Sequence, residues 1–179
     1  MQIRRASIQD AYGVAKVQVD TWKSTYEGIV PEAYLDEMTH ENREEKWRYI
    51  IEKGMVFVAE NDSGEIIGFS SGGPERSDEL DDYDAELYAI YIRKEDQRKG
   101  IGRKLVTPVV QELLECGMTS MVVAVLSDNP FRHFYEALGA EKIDRMKVNI
   151  SGKVLDEWIY GWKDLHSLLE EGMEWTSEK

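Results

Sequence analysis

The chain has 179 residues, 42% apolar and 32% charged, which suits one domain with its own hydrophobic core. A formal net charge of −13 repels polyanions and disfavours general nucleic-acid binding. With no apolar run near the roughly 18 residues of a membrane span, no apolar segment after Met1, and a single cysteine that excludes an intrachain disulfide, the expected setting is cytoplasmic and free of membrane contact.

Residues 2–6 read as an opening strand. Ser7 followed by Asp10 has the spacing of a helix N-cap, and Ile8, Ala11, Val14, Ala15, Val19 and Trp22 then recur at helical period. Gly28 and Pro31 end that helix; a short helical piece over 32–38 and a longer one over 41–53 follow, the second closed by Gly54. The period then changes. Residues 55–59 form a strand, Asn61-Asp62-Ser63-Gly64 a hairpin turn, and 65–71 the return strand, halted at Gly72-Gly73-Pro74. Residues 86–92, rich in aromatic and β-branched side chains, form a core strand whose alternation places Glu86, Tyr88, Ile90 and Ile92 on one face. A helix over about 102–115 ends at Gly117 and carries Pro108 inside it. Apolar spacing through Leu105, Val109 and Leu113 predicts a kink there and no break. A core strand over 118–126, a helix over 130–138 and two strands over 142–150 and 153–162 complete the order, before a short helix over 164–172 and a frayed tail. The expectation is a single α/β domain over 1–179, with its core in 1–163 and a C-terminal helix and tail in 164–179.

Local charge departs from the average. Residues 75–86 hold seven acids and one base, Arg76, whereas residues 93–104 hold six bases and two acids. The basic stretch contains Gln97-Arg98-Lys99-Gly100-Ile101-Gly102, set between a strand and a helix. Glycines at 100 and 102 let backbone amides approach a ligand, the helix start directs its unsatisfied N–H groups at the same place, and Arg98, Lys99, Arg103 and Lys104 add positive charge. Two glycines alone fit an ordinary turn; strand, loop, helix and bases together fit a pyrophosphate cradle. Neither the P-loop pattern nor G-x-G-x-x-G is present.

The Gln-x-x-Gly-x-Gly loop resembles the acetyl-CoA signature of the GNAT family of N-acetyltransferases. Residues 84–92 resemble that family's fourth strand, and 128–140, with Asn129 and Phe134-Tyr135-Glu136, resemble its second motif. Residues 22–31, with Tyr34-Leu35, resemble the N-terminal signature of a bacterial subgroup that acts on small molecules. Two positions depart from the pattern, Lys94 for a common proline and Ala140 for a usual aromatic, and neither touches the cofactor signature.

The resemblance implies the acyl-CoA N-acyltransferase fold, a twisted, mostly antiparallel sheet of about seven strands flanked by helices, with strands four and five splayed. It implies acetyl-CoA held by the backbone of Ile90, Tyr91 and Ile92, by Gln97, Arg98, Lys99, Gly100, Ile101, Gly102 and Arg103, and by Asn129 and Tyr135. Tyr135 is then the general acid for the leaving thiolate, Glu86 the base in some members, and an N–H at Ile90 the oxyanion donor. Glu86 fits a solvated strand-entry carboxylate equally well. Trp22, Tyr26, Tyr34 and Tyr88 are candidates to line an acceptor cleft, although the first three have helical spacing that also fits core. The implied activity is acetyl transfer to a small cationic amine. Acetylation of a protein N-terminus or lysine, or a CoA-binding sensor, stays open, and so does the homodimer common in the family. His40, His133 and His166 lack ligand spacing, and Cys116 is expected in the core.

Overall fold

The change of hydrophobic period read in the sequence sets the element order of the computed structural model, whose described residues are 1–170. These form β1 (Gln2–Arg5), α1 (Ala11–Tyr26), α2 (Glu32–Glu37), α3 (His40–Lys53), β2 (Met55–Glu60), β3 (Ile66–Pro74) and β4 (Ala85–Ile92). There follow α4 (Ile101–Glu115), β5 (Met121–Leu126), α5 (His133–Ala137), β6 (Glu141–Ile150) and β7 (Lys153–Trp162). One seven-stranded sheet runs β1-β2-β3-β4-β5-β7-β6. Every neighbouring pair is antiparallel except β4 and β5, which run parallel.

Both faces of the sheet are covered, so the central strands are apolar on both phases. Val56, Val58 and Phe69 pack beneath α1 and α3 with Val14, Trp47 and Ile51. On the other face Val106, Val109 and Leu113 of α4 meet Leu87, Met121, Val123 and Tyr160, and Leu105 packs with Ala59 and Ile67. The entry to α1 is fixed electrostatically. Asp10 accepts from the Ser7 amide at 2.7 Å and from both Arg4 guanidinium nitrogens at 2.8 and 2.9 Å, and Arg4 also binds Glu60. The Arg4 pairing, against the opposing effect of burial, holds the Asp10 carboxyl below the usual aspartate range.

Gly72-Gly73 does not halt β3; the strand continues to Pro74. These glycines answer to crowding. A Cβ on Gly72 would stand 2.7 Å from Val109 in α4, and one on Gly73 would stand 2.7 Å from the Tyr88 hydroxyl on the opposite face. Helix α4 runs unbroken through Pro108, and the buried Ser70 hydroxyl donates to the Leu105 carbonyl at 2.8 Å beside it. Helix α5 begins at His133, later than the expected 130, because Asn129 first turns the chain by accepting from the Phe131 amide. Cys116 is exposed at the end of α4, contrary to the core position expected for it. The expected final helix is present over 166–170, while 171–172 and the tail lie outside the described residues.

Candidate active site

The sheet opens in its middle. Strands β4 and β5 pair only at Ala85 with Met121 and Glu86 with Val122, and diverge beyond. Along its other edge β4 pairs continuously with β3, and Arg93 N–H bonds the Ile67 carbonyl opposite it. Antiparallel alternation then turns the backbone groups of Ala89 and Tyr91 towards β3, and those of Ile90 and Ile92 towards the split. Ala124 is the one exposed residue in the otherwise buried β5, at the place where a neighbouring strand would lie.

Strand β4 does not keep a single alternation. Ser71 pairs with Ala89 but Gly72 with Leu87, so Tyr88 is an extra residue, a β-bulge. The bulge inverts the phase of the strand. Leu87, Ile90 and Ile92 pack towards α4, whereas Tyr88 lies against Gly73 on the far side and carries Arg76 over its ring at 3.9 Å. The expectation that Glu86 and Tyr88 share a face with Ile90 and Ile92 is therefore corrected. A one-residue insertion is invisible to a period-two reading.

A cleft of about 550 Å³ occupies the split. Its floor includes Ile90, Tyr91 and Ile92, and its rim includes Gln97, Arg98, Gly100, Ile101, Gly102 and Arg103. The loop is held by its own side chains. Gln97 Nε2 donates to the Ile92 carbonyl at 3.0 Å, tying the loop to the end of β4. Arg98 and Gly100 take positive φ of 60° and 77°, a conformation glycine adopts freely and arginine at a cost of about 1 kcal/mol. Gly100 is the N-cap of α4, so first-turn N–H groups face the cleft. Gly102 has a further reason to lack a side chain, since a Cβ there would stand 2.8 Å from the Phe134 ring. Lys99 is turned away, its ammonium 3.1 Å from Asp96.

The opposite wall comes from distant segments. Asn129 Nδ2 donates to the Tyr26 hydroxyl at 2.9 Å, joining the end of α1 to the turn after β5. Tyr135 lines the cleft and packs among Phe134, Tyr160 and Trp162, with ring centroids 5.4 to 6.3 Å apart. Burial, with smaller contributions from Tyr91 and Tyr26, pushes its hydroxyl far above the ordinary tyrosine range, so it stays protonated at any physiological pH. Trp22 and Tyr34 stand behind this wall. Trp22 packs at a tilt against Tyr26 and Tyr34, with ring centroids 4.5 and 6.1 Å apart, and neither Trp22 nor Tyr34 lines the cleft.

A second, smaller cavity of about 250 Å³ adjoins the first, and Ala124 lines both. It holds Glu75, Arg76, Glu86 and Glu157 among Leu80, Val122, Met146 and Ile159. Arg76 grips Glu86 with Nη2 at 2.8 Å and Nε at 3.2 Å, and adds its own amide at 3.3 Å. Glu157 is half-buried and has no hydrogen bond or ion pair among the described residues. Burial, reinforced by the Glu86 charge, raises its carboxyl above the usual glutamate range.

Residues 19–140 match the model of the acetyltransferase (GNAT) family. The chain belongs to the GNAT family. It is 42% identical over 166 residues to the uncharacterized N-acetyltransferase YuaI of Bacillus subtilis (strain 168), covering 93% of this chain and 95% of YuaI. It is 30% identical over 87 residues to the L-amino acid N-acyltransferase MnaT of Escherichia coli (strain K12), covering 48% and 50%. Among solved structures, yncA of Salmonella typhimurium, a putative acetyltransferase with its cofactor acetyl-CoA, superposes with a TM-score of 0.70 at 25% identity over 92% of this chain and 94% of that one.

Within this GNAT frame, the structure gathers Tyr26, Tyr88, Ile90 to Ile92, Gln97, Arg98, Gly100 to Arg103, Asn129 and Tyr135 around one cleft. It leaves Lys99, Trp22 and Tyr34 outside that lining and sets Glu86 in the adjoining cavity. His133 and His166 are exposed and His40 is half-buried, each beside a carboxylate, His40 by Asp20, His133 by Glu136 and His166 by Asp164, and His133 also lines the cleft. Sequence reasoning missed Glu157. Its signal was there, because Glu157 falls in phase with Leu155 and Ile159 along β7, a carboxylate on an inward-facing register.

Proposed function

We propose that the chain transfers an acetyl group from acetyl-CoA to the primary amine of a small cationic molecule, by direct attack in a ternary complex. One observation carries this reading: two cavities of different chemistry meet at Ala124 in the split between β4 and β5. The larger suits the donor. It offers the outward backbone of Ile90 and Ile92 to an amide-bearing arm and the positive start of α4, with Arg98 and Arg103, to a pyrophosphate. The use of acetyl-CoA is supported by its presence in the yncA structure. The smaller suits a cationic acceptor, with three carboxylates against one guanidinium. MnaT, by its name an L-amino acid N-acyltransferase, makes a basic amino acid, which carries net positive charge, the first acceptor to try.

An ammonium ion must lose a proton before its nitrogen attacks the thioester carbon. The C–N bond forms as the C–S bond breaks. An N–H at Ile90 faces the split and suits the developing oxyanion, and the buried, protonated Tyr135 suits donation to the thiolate. The nitrogen's second proton restores the tyrosine, and one proton leaves to solvent. Free-thiol release from acetyl-CoA, followed across L-amino acids, polyamines and short peptides, tests the reading. Release is expected with small cationic amines. Turnover confined to peptides, or absent throughout, would overturn it.

A further inference from the structure

Three carboxylates line the acceptor cavity, Glu75, Glu86 and Glu157, and the surroundings of the last two separate their roles. Glu86 is occupied: both its oxygens are engaged by Arg76, from the side chain and from the backbone. A carboxylate whose two oxygens are held in a bidentate guanidinium contact is directed at that partner and away from an incoming amine. Glu157 sits differently. It pairs with Leu126 across β5 and β7, so its side chain shares the face of Ala124, the residue common to both cavities. It is close enough to act electrostatically on Tyr26 in the wall of the larger cleft and to be acted on by Glu86 in the smaller cavity. That is the place from which a base would reach an amine poised at the split.

We infer that Glu157 is the general base that deprotonates the acceptor ammonium, and that Glu86, locked by Arg76, positions the acceptor. This inference rests on the acetyl-transfer reading above. In the step it adds, one N–H bond of the acceptor ammonium breaks and its proton passes to the Glu157 carboxylate, leaving the lone pair on nitrogen for attack. Glu157 later returns that proton to solvent. The titratable and charged groups facing it are Glu86 from β4, Glu75 and Arg76 from the β3–β4 connection, Tyr26 from α1 and Asp144 two residues from Met146 on the same phase of β6. The strand beneath, β5, contributes only Val122, Ala124 and Leu126. Carboxylates outnumber the one guanidinium, and that guanidinium is committed to Glu86, so the neighbours favour a base that retains affinity for a proton.

The test joins a titration with kinetics, using L-lysine and spermidine as acceptors. The carboxyl 13C signal of Glu157, assigned by its loss in Glu157→Gln, is expected to titrate above the ordinary glutamate range in the protein without acceptor. In Glu157→Gln, kcat/KM is expected to fall on the order of 10²-fold at neutral pH. That defect should shrink as pH rises towards the acceptor's own pKa, where solvent supplies the free amine. Glu157→Asp should recover part of the loss. Glu86→Gln should raise KM and move the acid limb to lower pH, because it removes a repelling charge while leaving the base in place. Wild-type turnover with an unchanged acid limb in Glu157→Gln, or a Glu157 that titrates in the ordinary range, would overturn this inference alone. A wild-type protein that releases no thiol with any amine would overturn the proposed function and this inference with it.

Discussion

At the scale of single residues, the cleft asks two different things of its aromatic side chains. Tyr26 is tied to Asn129 by a hydrogen bond and fixes the wall. Tyr135 has no hydrogen bond to its hydroxyl among the described residues, yet it is packed on three sides by rings. The residue lines the cleft, so its hydroxyl is placed to meet a bound ligand and not to hold the fold. Replacing Tyr135 with Phe should therefore leave thermal stability nearly unchanged, because it removes no hydrogen bond within the described residues. It should lower kcat on the order of 10²-fold if the hydroxyl is the acid, while the acetyl-CoA Kd, read by calorimetry, holds. Burial raises the Tyr135 pKa, so the residue is protonated throughout the working range. The variant should then lower the pH–kcat plateau without moving its alkaline limb. A limb that moves would assign Tyr135 a titration the structure does not give it.

At the scale of elements, interlocks decide where strands and helices end. Pro108 denies α4 the bond to the Lys104 carbonyl, and Ser70, reaching from β3, donates to the neighbouring Leu105 carbonyl. Ser70→Ala should cost about 1 kcal/mol in urea unfolding, and less in a Pro108→Ala background where the helix closes its own ladder. Equal costs in both backgrounds would separate the serine from the proline. The second interlock joins β1, the start of α1 and β2 through Arg4, Asp10 and Glu60. Asp10 has a folded-state pKa below its unfolded value, mainly through the Arg4 bond. Its contribution is thus complete above the unfolded aspartate pKa and is lost as pH falls through the depressed one. Asp10→Asn should destabilise the protein by about 2 kcal/mol at pH 7, and the gap from wild type should close as unfolding is measured at progressively lower pH. Much at this scale was legible in the sequence. Period changes gave the order of strands and helices, and turn residues gave most boundaries. The start of α5 was missed for a local reason, the Asn129 turn, but the errors that bear on the site share one cause, which is contact between elements distant in the chain. Gly72-Gly73 resembles a break until Val109 and Tyr88 are seen to fill the space a side chain would need. The Tyr88 bulge depends on the register of β3, and the isolation of Glu157 depends on Arg76 having chosen Glu86. Local patterns carry none of these choices.

At the scale of the whole molecule, a body with a net charge of −13 carries a positive rim at the start of α4, where the donor's phosphates would lie, and a carboxylate-rich cavity across the split. The two fields lie on either side of Ala124 and have opposite signs, so salt should act on the two substrates through different charges. A cationic acceptor is drawn by the long-range field of the acidic body as well as by the cavity, and both attractions are screened over about 10 Å at 0.1 M salt. Its KM should therefore rise several-fold between 50 and 500 mM NaCl, with kcat nearly constant, since the proton transfer happens inside the cavity where screening is weak. A neutral amine of the same size should show little change in KM over that range. For acetyl-CoA the net field repels and the local rim attracts, and added salt weakens both, so its KM should respond less than that of the cationic acceptor. Steady-state kinetics with each substrate varied in turn across the salt series would separate these terms. If the cationic and neutral acceptors showed the same salt dependence, the acidic surface would have no part in choosing the acceptor, and selectivity would have to come from the shape of the cavity between Arg76 and Glu157.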